Sequence, residues 1–375
     1  MTAQRLGLIV NPVAGLGGSV GLKGSDGEAT QDEARRRGAS PVSGQRVRRA
    51  LRALYDEGFA GPLLAAAGGM GENEAHAEGF TVDAVGEPRT TTSAADTVAA
   101  AVAMRDQGVD LILIAGGDGT VRDVHAGVGE TVAMLGIPTG VKMHSGVFAT
   151  TPEAAGRLTA RFAAATDRNI ALRPSEIMDI DEDAWRAGRL SARLFGYGRV
   201  PYERRLVQAS KRASLPDDDA VTHAAALEIA QALVPGTAYV VGPGSSAKGV
   251  IAALGLDTDV LGVDLVCDGR LLGSDLGEAD LLRLAAGWPL HIIVGVTGGQ
   301  GFVFGRGNQP ISPTVIRRAG GTNLTIIAGP GKLAALAEPR LLIDTGDADL
   351  DVELASYRRV VTGSGEETVM RLVAG

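Results

Sequence analysis

The apolar residues of this chain fall in short runs of strand length, each followed by glycines and then by a stretch with helical spacing. In the first half, "RLGLIV", "PLLAAA", "FTVDAV", "VDLILIAGG" and "VAMLGIP" read as strands. The run into Gly116 carries no polar residue after Asp110, as expected of a parallel strand buried on both faces. Helices fit between these runs. One covers about Ser43 to Glu57. A second has Ser93 as its N-cap, Asp96 completing a capping box and Gly108 as its stop. A third starts near Thr120, and a fourth is opened by Thr150 or Thr151, Pro152 and Glu153. Strands alternating with helices predict an α/β domain built on a parallel sheet.

The rhythm changes between Ala171 and Leu194. "DIDEDAWRAGRLSARLFGYGRVP" is charged and then rich in arginine and glycine, and "SLPDDDA" after it reads as a loop. A domain boundary is therefore expected near Asn169, with a first domain over residues 1–169 and a second over 170–345. Strand-plus-glycine units resume at "TAYVVGPG", "VLGVDLVC", "HIIVGVTGGQG" and "NLTIIAGPG". The tail, residues 346–375, holds "YRRVVTGSGEETVMRLV", two strands around a turn that are expected to return to the first domain.

Composition narrows the class. A chain of 375 residues with 45% hydrophobic and 21% charged residues fits two globular domains, each with a sizeable core. Glycine stands out at 53 residues, roughly twice ordinary usage, without the period of collagen, so tight turns or close ligand approach are expected. The net charge of −8 argues against nucleic acid and membrane surfaces. The basic stretches "RRRG" and "RVRRALR" are flanked by acids and read as solvated helix faces. The single cysteine, Cys267, sits in an apolar run and reads as core, in keeping with a reducing cytoplasm. Leu6 to Val10 is too short for a signal segment, and no stretch has the length of a membrane span. "DIDEDAW" lacks the turn glycine and the closing glutamate of a Ca²⁺ loop, and the five histidines show no metal spacing.

Three glycine-rich loops carry the chemistry. In "GGDGT", Gly116, Gly117, Gly119 and Thr120 lie between a buried strand and a helix start, where backbone N–H groups bind phosphate. Asp118 would repel phosphate there. It therefore takes a proton from an attacking hydroxyl, holds a metal ion that bridges phosphates, or simply occupies a turn. "NPVAGLGGSVGLKG" repeats the arrangement after the first strand, with Asn11, Gly17 and Gly18 as contacts and Lys23 in reach of a phosphate, although the Walker A spacing is not met. "YVVGPGSSAKG" matches G-x-G-x-x-A, with Ser245, Ser246 and Lys248 as donors and Asp264 where a ribose-binding acid can stand. His125 and His144 are further candidates to line the cleft.

"GGDGT" between strand and helix resembles the signature of the superfamily of NAD kinases, diacylglycerol kinases, sphingosine kinases and 6-phosphofructokinases. "IVNPVAG" is similar to the first two branches, and "GPGSSAKG" to the nucleotide-pocket segment of NAD kinases. "GGQGFVFGRGNQPISPTVIRRAG" (Gly298 to Gly320) resembles a block of the ATP-NAD kinase-like proteins that include the acetoin-catabolism protein X group. The resemblance implies an α/β N-terminal domain, a second β-rich domain, and ATP with Mg²⁺ as phosphoryl donor. It implies that Asp118 deprotonates or orients the acceptor hydroxyl, which in NAD kinases is the 2′-hydroxyl of the adenosine ribose. The small-molecule acceptor is thus NAD or another hydroxyl metabolite, in an enzyme expected to be a homo-oligomer. A lipid acceptor, or a non-catalytic protein that binds NAD or ATP, is the alternative. Two departures bear on the acceptor. Ser175 and Glu176 are the nearest candidates for the Asn-Glu pair with which NAD kinases grip the dinucleotide, and Asp123 stands where lipid kinases keep a glutamate.

Overall fold

The structure, a computed structural model, describes residues 4–22, 27–141, 143–164, 171–180, 192–203, 206–208 and 216–375. The described strands are β1 (Leu6–Val10), β2 (Leu63–Ala66), β3 (Val82–Val85), β4 (Leu111–Gly116), β5 (Ala133–Pro138), β6 (Leu172–Ile180), β7 (Ala192–Pro201) and β8 (Ala238–Val241). They continue with β9 (Asp264–Cys267), β10 (Arg270–Gly273), β11 (Leu290–Gly295), β12 (Phe302–Phe304), β13 (Leu324–Ile327), β14 (Arg340–Ile343), β15 (Tyr357–Gly363) and β16 (Glu366–Ala374). The helices are α1 (Glu28–Arg36), α2 (Ser43–Asp56), α3 (Glu72–Ala77), α4 (Ala94–Asp106), α5 (Asp118–Val128) and α6 (Pro152–Ala164). Further helices are α7 (Pro216–Gln231), α8 (Ser245–Ala253), α9 (Glu278–Leu284), α10 (Pro313–Ala319), α11 (Pro330–Ala334) and α12 (Ala348–Leu354).

The chain forms two compact units, one of residues 1–16 and 40–210, the other of residues 17–39 and 211–375. The first unit is a sheet in the order β3-β2-β1-β4-β5-β7-β6, parallel throughout except for the β6–β7 hairpin. Every residue of β4 is buried, which suits its unbroken apolar run, and each such Leu or Ile contributes roughly 1.5–3 kcal/mol by burial. Helix α4 opens as read: the Ser93 N–H donates to Asp96 Oδ2 at 2.9 Å. At α6 the hydroxyl of Thr151 accepts from the Ala154 N–H at 3.2 Å, so Thr151 rather than Thr150 is the cap. The basic helix faces are paired with acids, Arg49 with Glu153 at 2.6 Å and Arg52 with Glu78 at 3.0 Å.

The second unit is a nine-stranded sheet in the order β10-β9-β8-β11-β13-β15-β16-β14-β12, in which β8, β11, β13 and β15 run parallel. Cys267 lies buried in it, and burial raises its thiol pKa.

Three expectations about organisation are corrected. The first unit runs to residue 210 instead of 169, because β6 and β7 extend its sheet, with Ala133 of β5 paired to Arg199 of β7. The tail belongs to the second unit, where β15 pairs with β13 and β16 with β14. "PDDDA" opens helix α7 instead of forming a loop: proline at the first helical position followed by acids is helix-starting chemistry. Ser214 and Leu215, which precede it in the expected loop, lie outside the described residues. No described helix is long and apolar enough to cross a membrane.

Candidate functional site

In the first sheet, β1 lies between β2 and β4, so the strand order reverses between β1 and β4. In open α/β sheets, ligands bind at the carboxyl ends of the strands beside such a switch point. Asn11 follows β1 there and "GGDGT" follows β4. The two loops are joined: Asn11 Nδ2 donates to Thr120 Oγ1 at 3.2 Å, while Asn11 Oδ1 accepts from the Val13 N–H at 3.2 Å.

The glycines of this cluster serve different purposes. A Cβ on Gly116 would lie 2.4 Å from the Thr120 side chain, so this glycine lets α5 start directly against the strand end. A Cβ on Gly140 would lie 2.5 Å from Gly117 Cα, so the two loops cross backbone to backbone. Gly119 is different. Among the described residues, a methyl there would meet Asp179 Oδ2 at 3.9 Å and Arg122 Nη2 at 4.0 Å, in the first turn of a helix whose N–H groups favour an anion.

Asp118 is the first residue of α5 and only 1% exposed. Its Oδ1 accepts from the Ser145 N–H at 3.0 Å and the Ser145 hydroxyl at 2.6 Å, and its Oδ2 accepts from the His144 N–H at 2.7 Å. His144 Nδ1 lies 3.5 Å from Oδ2. Burial pushes the Asp118 carboxyl up to about 6. The bonds from Ser145 and His144 oppose the rise, and the nearby Asp179 carboxylate adds to it. Relative to an ordinary value of 3.8, keeping this group ionised costs about 3 kcal/mol, at roughly 1.4 kcal/mol per pH unit. Because the folded-state value lies above the unfolded one, the stability it contributes is complete below pH 3.8 and is lost as pH rises through about 6.

Sequence reasoning named His144 but missed the other groups around Asp118. Ser145 is fully buried and also ties the site to β6, accepting from the Met178 N–H at 2.9 Å. Gln208 donates to the carbonyls of Met143 and Ser145 at 3.2 and 3.1 Å, holding the same loop. Asp179 pairs with Arg122 at 2.7 Å. The signal available for Ser145 was its place in "MHSGVFA", the loop that follows the next strand of the sheet.

Other expected residues stand elsewhere. The Glu176 carboxyl enters none of these bonds; its backbone carbonyl accepts from the Gly146 N–H at 2.9 Å. Asp123 is bonded to the Arg122 guanidinium at 3.2 Å. His125 is half-buried against Gly196 of β7. Gly17 and Gly18 belong to the second unit, where their carbonyls accept from Leu22 and Gly21 in a turn. Lys23 lies outside the described residues, as does "DIDEDAW" beyond Ile180.

In the second unit, Ser245 is exposed and Ser246 buried in the first turn of α8. Ser246 Oγ accepts from Lys332 Nζ at 3.1 Å, a lysine carried by "AGPGK" after β13 that sequence reasoning passed over. Lys248, expected to neutralise phosphate charge, is buried and paired with Asp264, itself fully buried. Burial lowers the lysine pKa while Asp264 raises it. Asp264 is likewise no open ribose ligand, since its other oxygen accepts from the Asp275 N–H at 3.0 Å. A cavity of about 550 Å³ in this unit, lined by Tyr239, His291 and Thr325 with Glu228, Glu366 and Glu367, contains no predicted residue, and its carboxylates disfavour phosphate.

No three potential metal-ligating side chains come together among the described residues.

Two family models match the chain, the ATP-NAD kinase N-terminal domain over residues 6–166 and the ATP-NAD kinase C-terminal domain over residues 235–372. The chain belongs to the ATP-NAD kinase family. It is a kinase of that family, with the NAD kinase-like α/β fold in two units. The Asp118 cluster falls within the first match and the Ser246–Lys332 pair within the second. The β6–β7 hairpin, which supplies Asp179, lies between the two. No curated protein matches the chain at a significant level.

Proposed function

We propose that this kinase transfers the γ-phosphoryl group of ATP to a hydroxyl of a small soluble acceptor, with the 2′-hydroxyl of NAD as the leading candidate and NADP as the product. The observation that carries the reading is Asp118, a buried carboxylate at the N-terminus of α5, held by Ser145 and His144. With a pKa of about 6 it is ionised at neutral pH yet basic enough to accept a proton, the poise a general base needs. In the reaction the acceptor O–H gives its proton to Asp118, its oxygen bonds to the γ-phosphorus, and the bond to the ADP oxygen breaks. Gly116, Gly117, Gly119 and Thr120 place the N–H groups of α5 at the phosphates, and Asn11 fixes Thr120. Mg²⁺ arriving with ATP supplies positive charge on the phosphates. On the second unit, Ser245 and Ser246 offer donors to a nucleotide.

One observation favours a non-catalytic nucleotide binder: Asp118 already accepts three hydrogen bonds from Ser145 and His144. The test is a mass-spectrometric screen of the protein with ATP, Mg²⁺ and a pool of NAD, NADH, polyols and diacylglycerol. NAD gaining one phosphoryl group supports the full reading. Another metabolite gaining it keeps the kinase chemistry and replaces the acceptor. Binding without any phosphorylated product favours the regulator.

The glycines give a second test. Gly116→Ala forces a Cβ into Thr120 and is expected to cost about 1–3 kcal/mol of stability. Gly119→Ala meets nothing closer than 3.9 Å among the described residues and is expected to keep the wild-type melting temperature or exceed it slightly, while turnover falls because the methyl fills the phosphate space. A fully active Gly119→Ala enzyme would remove the phosphate from that position.

A further inference from the structure

Among the described residues, a methyl built on Gly119 lies 3.9 Å from Asp179 Oδ2 and 4.0 Å from Arg122 Nη2, the cation at this position. This residue follows Asp118 by four positions, on the same side of α5. Its guanidinium is fixed from several directions. Nη1 donates to Asp179 at 2.7 Å, Nε and Nη2 donate to Asp123 at 3.4 and 3.2 Å, and the group lies 5.6 Å from the Phe195 ring centre. Among the described residues, these three bonds leave two of the five guanidinium N–H groups for another acceptor. One is on Nη2, the atom 4.0 Å from a methyl built on Gly119. The side chain remains 38% exposed, so an incoming ligand can reach it.

Charge makes the same point. Asp118, Asp123 and Asp179 bring three carboxylates to this corner, and a phosphate placed among them is repelled unless a cation faces it. A buttressed guanidinium is well suited to that task, because its planar fork binds phosphate oxygens in a fixed orientation. We infer that Arg122 binds a phosphate group of the nucleotide over Gly119, with Asp179, Asp123 and Phe195 holding it in position. The inference rests on the phosphoryl-transfer reading for the identity of its ligand. The phosphate belongs either to ATP or to the diphosphate of NAD.

The test is titration calorimetry of the full chain with ATP, NAD and adenosine, each alone, on wild type, Arg122→Gln and Arg122→Lys. Loss of a charge-assisted bidentate contact is expected to weaken one phosphate ligand by about tenfold to a hundredfold in Arg122→Gln, with adenosine unchanged. A loss with ATP assigns Arg122 to the donor phosphates, and a loss with NAD to the acceptor. If Arg122→Gln fails to fold for want of a partner for Asp179, Arg122→Lys keeps the charge and is expected to show a severalfold loss. Wild-type affinity for both ATP and NAD in the readable variant, or an equal loss for adenosine, overturns the inference. Wild-type turnover is measured separately. An inactive wild type that still loses ATP affinity in Arg122→Gln refutes the kinase reading and leaves Arg122 standing, whereas an active wild type with an unaffected variant does the reverse.

Discussion

Asp118→Asn is expected to lower turnover by about a hundredfold or more while ATP and NAD still bind. The amide keeps the size of the carboxyl and can still accept from Ser145 or His144, but it cannot take the acceptor's proton. The loss should appear in kcat more than in KM, since the group acts on the reacting hydroxyl. The wild-type rate carries a second signature. With burial raising Asp118 to about 6, turnover should be level near neutral pH and fall roughly tenfold per pH unit below 6 as the carboxyl protonates. The residual rate of the asparagine variant should lack that limb. Equal turnover in the two proteins would reduce Asp118 to a strut for the loop at Ser145.

Lys248→Met is expected to cost about 3–5 kcal/mol of stability, the scale for stripping one partner from a buried ion pair. Asp264 is fully buried, and its carboxylate would be left facing an apolar side chain. Replacing both residues, Lys248→Met with Asp264→Leu, should recover much of the loss, because two apolar side chains leave no uncompensated charge. Urea unfolding of the single and double variants measures both effects. If Lys248→Met is as stable as wild type and loses nucleotide affinity instead, the lysine faces the phosphate as its place in "GPGSSAKG" first suggests.

The sheet of the first unit was legible because its strands are uninterrupted apolar runs, and Asp118 because an acid among glycines at a strand end has few structural uses. The different purposes of Gly116 and Gly119 were not legible. One glycine avoids Thr120 and the other has no close neighbour among the described residues, and only packing separates them. The boundary was misplaced because β6 and β7 form an outer hairpin whose side chains are mostly polar or only partly buried, so no buried run announces them. The partners of the site are distant in sequence, with Ser145 27 residues from Asp118 and Asp179 57 residues from Arg122. Spacing cannot reveal pairs made by the crossing of strands. The ion pair of Lys248 was hidden for a similar reason, since its partner Asp264 arrives from the neighbouring strand β9.

The most direct measurement is ADP release from ATP and Mg²⁺ by the wild-type protein, with and without NAD, scored alongside the phosphorylated product. ADP formed only when NAD is present, and in equal amount to NADP, is the predicted result. ADP formed at the same rate without an acceptor, or no ADP from protein that binds both nucleotides, would contradict phosphoryl transfer to a hydroxyl at Asp118.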